Sequence, residues 1–176
     1  GINSILARPI IELLPGFSDT VFDSGPEGLA ILTSSMGIGA IISSIWLAQR
    51  GTLKGLSNIV FIGVLINSIS IVLFTLSANL ITGAILLGIS GFTQACTGTG
   101  TQTLIQSFVP DSLRGRVMSV WLVIGRGGPA FGALVIGIVA EFIGFPLPIM
   151  IGGVLTALVL LKYISYKNTV ALDLET

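Results

Sequence analysis

Arg126 sits ten residues into an apolar run, between Gly125 and a Gly127-Gly128-Pro129 step. An arginine at the centre of a membrane-spanning helix costs about 2.5–3.5 kcal/mol on insertion scales, so it is kept where it is paired, solvated or used. The neighbouring glycines leave space around it. Pro129 interrupts the helical ladder, which lets a guanidinium bond a backbone carbonyl. Two uses fit these surroundings. Arg126 faces a cavity, binding an anionic substrate group or pairing with an acid, or it is a structural residue tied to carbonyls.

Arg8 and Glu12 stand at i, i+4, so on a helix they share a face and can neutralise each other. Glu12 has a second option, pairing with Arg126 across a bundle and exchanging partners or a proton. That role needs a carboxyl pKa raised toward neutrality. Asp19 and Glu141 read as solvated residues near a surface. Neutral hydrogen-bonding side chains crowd the run 80–108: Thr93, Gln94, Thr97, Thr99, Thr101, Gln102, Thr103 and Gln106. By helical spacing Gln94, Thr97 and Thr101 share one face, and Thr99, Gln102 and Gln106 another. Such groups line a cavity for varied substrates, or bond between helices at about 0.6 kcal/mol each. The first face is the expected lining.

Composition removes other chemistry. His is absent and Cys96 is the single cysteine, so the commonest general base and the usual thiolate clusters are missing. No serine has a base beside it, and no Gly-x-x-x-x-Gly-Lys-Ser/Thr loop cradles a nucleotide. No catalytic residue, metal or cofactor is expected. Eight Lys+Arg balance eight Asp+Glu, which leaves no net charge to hold a nucleic acid.

Positioning these side chains falls to apolar helices. Hydrophobic residues make up 52% of the chain, charged residues 9%, and mean hydropathy is +1.00. Soluble domains carry about 25% charged residues, so here most side chains must face lipid or one another. A crossing takes roughly 20 apolar residues. Six runs qualify, at about 4–22, 28–49, 58–76, 80–108, 117–140 and 147–163, with a polar tail at 167–176. The stretch 55–110 has no charge and is divided at Ser77-Ala78-Asn79; 23–27, 50–57 and 110–116 read as loops. The expected fold class is an all-α membrane protein of six transmembrane helices, with the lipid bilayer as its surroundings.

The basic residues test that count. Arg50 and Lys54 fall in the second loop, Arg114 and Arg116 in the fourth, and Lys162 and Lys167 at the end. Alternation puts all three places on one side, opposite Asp23, Glu27 and Glu141. By the positive-inside rule that side, with both termini, is cytoplasmic. Trp46 and Trp121 lie near the cytoplasmic ends and read as interfacial anchors. Glycine pairs such as Gly37 and Gly39, Gly88 and Gly91, Gly98 and Gly100, and Gly128 and Gly132 allow the close backbone approach that holds a bundle together in lipid.

The segment Pro110-Asp111-Ser112-Leu113-Arg114-Gly115-Arg116-Val117-Met118-Ser119 resembles the cytoplasmic loop between the tenth and eleventh helices of Major Facilitator exporters. Gly25-Pro26-Glu27-Gly28-Leu29-Ala30-Ile31-Leu32 with Gly37-Ile38-Gly39-Ala40 is similar to the eighth helix of the subgroup that holds enterobactin-exporter-like and macrolide-efflux-like proteins. Gly128-Pro129-Ala130-Phe131-Gly132-Ala133 is similar to its eleventh, where Gly128, Pro129 and Gly132 would serve kinking and packing. The family's acidic loop motif is degenerate around Gln49-Arg50-Gly51-Thr52-Leu53-Lys54, with Gln49 in the acid's place.

The resemblance implies the C-terminal six-helix half of a transporter, built as two inverted three-helix repeats and working by alternating access with an N-terminal half. It implies a proton-coupled exporter of a drug, siderophore or metabolite in a bacterial inner membrane. The chain opens at Gly1, close to an apolar run, and reads as a piece of a longer polypeptide that supplies the missing half. The rival reading is a half-size, non-transporting membrane scaffold or sensor.

Overall fold

The computed structural model describes residues 10–51, 55–144, 147–159 and 162, apart from the side chains of Arg126, Glu141 and Ile143. Arg8, Lys54, Lys167 and the tail lie outside the described residues. The chain is helical: α1 (Ile10–Thr20), α2 (Gly25–Arg50), α3 (Leu56–Leu76), α4 (Leu80–Phe108), α5 (Asp111–Leu122), a π-helical turn (Val123–Gly127) and α6 (Gly128–Ile143). A shorter apolar helix, α7 (Leu147–Val159), follows. Helices α2, α3 and α4 and the run Asp111–Ala140 are each long and apolar enough to cross a membrane.

Helix α1 shows why these residues coil and dock. Ile10, Leu13, Leu14, Phe17 and Ser18 are its buried residues, the i, i+3, i+4, i+7, i+8 stripe of an amphipathic helix. Asp23 and Gly25, at φ 48° and 50°, then reverse the chain through the left-handed region. The Ser18 hydroxyl donates to the Gly25 carbonyl at 2.6 Å, and the Ser24 N–H to the Ser18 carbonyl at 3.0 Å. Helix α2 starts at Gly25 with Pro26 in its first turn, where the missing N–H costs no bond. It stops at Gly51, whose φ of 60° forms a left-handed cap.

Phe17 packs on Phe74 at 5.0 Å between ring centroids, and Phe22 on the same ring at 5.8 Å. Around them lie Leu14, Leu32, Ile71, Leu87, Ile136 and Ile149, so α1, α2, α3, α4, α6 and α7 all enter one core. The outer faces are as apolar as the core. Ile38, Ile41, Ile42 and Ile45 of α2, and Phe131, Leu134, Ile138 and Phe142 of α6, are each more than half exposed. Stripes of that kind belong against lipid.

Helix α4 is the hub. It runs antiparallel to α3, with Gly83 near Phe74 at one end and Gly100 near Val60 at the other. The turn between them ends at Asn79, whose side chain accepts from the Ile81 N–H at 2.9 Å as an N-cap. Against α2 the two backbones touch: a Cβ on Gly39 would collide with the Gly88 carbonyl, and one on Gly91 with that of Met36.

The basic residues sit differently from the loop expectation. Arg50 ends α2, and α5 begins at Asp111, so Arg114 and Arg116 ride on its first turns. Helical geometry outlasts the apolar stretch because Asp111 favours the positive end of the helix and Arg114 reaches back to it at 2.6 Å. Arg50, Arg114 and Arg116 nevertheless gather at one end of the bundle, where α2 and α4 finish and α5 starts.

Candidate functional site

A groove of about 480 Å³ opens at mid-length between α2, α4 and α5. Met36, Gly37 and Ala40 come from α2, and Gly91, Gln94, Ala95, Gly98, Thr99 and Gln102 from α4. Trp121, Leu122 and Gly125 close it where α5 passes into the π turn. The small residues supply a smooth wall with little side-chain relief. Gln94, Thr99, Gln102 and the indole of Trp121 supply hydrogen-bonding groups and one aromatic face. No charged side chain borders it among the described residues. A second cavity of about 370 Å³ lies toward the basic end, between Ser44, Leu47, Ala48, Gly51, Leu56, Thr99 and Thr103. Thr99 borders both.

Behind the groove a polar cluster joins α3 to α4. Asn67, 1% exposed, accepts at Oδ1 from the Ser90 hydroxyl at 2.7 Å and from the Thr93 hydroxyl at 3.4 Å. Gln94 Nε2 donates to Ser90 Oγ at 3.3 Å. Gln94 therefore touches the groove on one side and this cluster on the other. Asn67 Nδ2 is buried with no partner, an arrangement that native structures tolerate rarely.

The expected lining face divides. Gln94 borders the groove, whereas Thr97 and Thr101 do not. The Thr97 methyl packs toward α3, 2.7 Å from where a Cβ on Gly63 would lie. Its hydroxyl donates to the Gln94 carbonyl at 3.1 Å, and that of Thr101 to the Thr97 carbonyl at 2.7 Å. Thr99 and Gln102, from the alternative face, border the groove instead. Glu12 is exposed in the first turn of α1. Its proposed partners, Arg8 and the Arg126 side chain, fall outside the description.

Arg126 belongs to the π turn, directly after the groove residue Gly125. Gly128 and Pro129 open α6, and Gly132 is buried on the same face as Ile136 and Ala140. Sequence reasoning missed two features. Trp121, read as an anchor, borders the groove. The π turn itself was unforeseen, although Pro129, which has no N–H for a helical bond, signalled an irregular ladder. Trp46 does face outward, 41% exposed, with Phe92 beside it at 6.0 Å and the Arg50 guanidinium 6.0 Å over its ring.

Bilayer-length helices with apolar outer stripes, around a partly polar groove, define a polytopic membrane protein. The sequence model of the Major Facilitator Superfamily matches residues 9–172, and the chain belongs to that family of membrane transporters. No curated protein and no solved structure matches it.

Proposed function

We propose that the chain is the C-terminal six-helix half of a proton-coupled exporter that moves small molecules across a bacterial inner membrane by alternating access. The groove between α2, α4 and α5 carries this reading, because it offers Gln94, Thr99, Gln102 and Trp121 to a solute at the depth where carriers bind their cargo. An N-terminal half in the same polypeptide would face it and close the path. The gathering of Arg50, Arg114 and Arg116 at one end supports an orientation with that end, and both termini, in the cytoplasm.

Arg126 takes a coupling role in this scheme, next to the groove on an irregular helix turn, with Glu12 as a candidate partner. Efflux from cells or vesicles carrying the full-length protein tests it. Arg126→Ala should abolish protonophore-sensitive efflux while membrane insertion is unchanged. Unaltered efflux would remove Arg126 from the mechanism, and efflux lost only together with insertion would make it structural. If the full-length protein moves no solute at all, the scaffold reading replaces transport.

A further inference from the structure

We infer that Asn67, which does not border the groove, fixes the hydrogen-bonding polarity of Gln94 within it, so that the site selects flat aromatic ligands bearing a hydrogen-bond donor. The inference rests on the groove being the solute site.

The donors and acceptors of this cluster run in one direction. Ser90 Oγ donates to Asn67 Oδ1 at 2.7 Å. The single Ser90 hydrogen is thus committed to the Asn67 carbonyl oxygen. Ser90 Oγ then has only lone pairs to offer, and Gln94 Nε2 donates into them at 3.3 Å. Thr93 competes only weakly, because its one hydroxyl hydrogen lies closer to its own helix, with the Ile89 carbonyl at 2.9 Å and that of Ser90 at 3.0 Å, than to Asn67 Oδ1 at 3.4 Å. With its nitrogen drawn backward, Gln94 turns its carbonyl oxygen to the groove, an acceptor waiting for a donor.

The orphaned Asn67 Nδ2 is what this direction costs. Turning the amide over would give that nitrogen two hydroxyl partners, but it would also reverse the chain. Shape supplies the rest of the selectivity. Gly91, Ala95 and Gly98 project little beyond the backbone of α4, and Trp121 is the aromatic surface in the same groove. Bare backbone and an indole in one groove favour a flat ring.

The test uses the full chain in nanodiscs and two neutral quenchers of indole fluorescence, 4-nitrobenzyl alcohol and its methyl ether, which lacks the donor. Quenching due to Trp121 is the difference between Trp46→Phe and Trp46→Phe/Trp121→Phe. The alcohol should bind Trp121's groove about threefold to tenfold better than the ether, the worth of one net hydrogen bond. Adding Asn67→Leu should erase that preference without lowering Tm, since it also removes the buried orphan. Ser90→Ala should erase it too, which guards against a folding defect in the first variant.

Equal binding of the two probes overturns the polarity assignment. A preference that survives both variants overturns the role of Asn67. Absence of any Trp121 quenching by either probe overturns the groove as a binding site, and the inference with it.

Discussion

Between α3 and α4 side chains interdigitate: the Thr97 methyl of α4 lies against Gly63, Val60 and Leu56 of α3 cover Gly100, and hydroxyls of α4 bond Asn67. Toward α2 it presents bare backbone, with Gly39 against the Gly88 carbonyl and Gly91 against Met36. The first flank is an interdigitated seam whose partners must separate together. The second is a close backbone approach within an extensive contact between the two helices, and the groove opens beside it. In lipid, where no hydrophobic effect drives helices together, side-chain interlock holds a hairpin in register, while a glycine crossing brings two helices close without locking them.

If that contrast holds, substitutions should sort by flank. Gly39→Ala and Gly91→Ala should be the most damaging, costing about 3 kcal/mol or more because a methyl meets carbonyl backbone that cannot yield. Reversible unfolding in mixed micelles measures this. Gly37→Ala and Gly98→Ala, neighbours with open space around the missing Cβ, should leave stability unchanged or raise it by about 0.5–1 kcal/mol. Equal losses in both pairs would dissolve the distinction between crossing and groove.

Thr99→Phe should lower efflux roughly tenfold, equivalent to about 1.4 kcal/mol, with insertion intact, because Thr99 separates the groove from the cavity nearer the basic end. Gly63→Ala presses on a side-chain methyl rather than on backbone, so unfolding should show a cost of only about 1 kcal/mol. Thr97→Val keeps the methyl and loses a hydroxyl bonded within its own helix. It should cost under about 0.6 kcal/mol and leave efflux unchanged; a loss of efflux would place Thr97 on the solute path after all.

The helices were legible because lipid solvation demands long apolar runs and turns need particular residues. The charge-free stretch 55–110 divides at Ser77-Ala78-Asn79 in the sequence, and α3 and α4 part there, with Asn79 as the cap. Reading loops from charge failed at 110–116, where Asp111 and Arg114 continue a helix beyond the apolar stretch. The groove-facing side of α4 was legible only in part. Its polar residues surround the helix, and a threonine hydroxyl can bond a carbonyl of its own preceding turn. Thr97 and Thr101 do so, so their polarity says nothing about water or solute. Asn67 carries no sequence signal of its role, since its partners stand 23 and 26 positions away.

The π turn at Val123–Gly127 makes the length of this helix matter as much as its composition. A π turn takes in about one residue more than an α turn, a phase slip of about 100° for everything downstream. Upstream, Trp121 and Leu122 point at the groove; downstream, Gly132, Ile136 and Ala140 point inward. In an uninterrupted α-helix Trp121 and Gly132, eleven residues apart, would share one face; the extra residue of the π turn sets their headings apart. Deleting one residue within 123–127 would restore regular winding and swing one half of the span out of alignment with its neighbours. In this stretch a missing residue should therefore do more harm than a changed one.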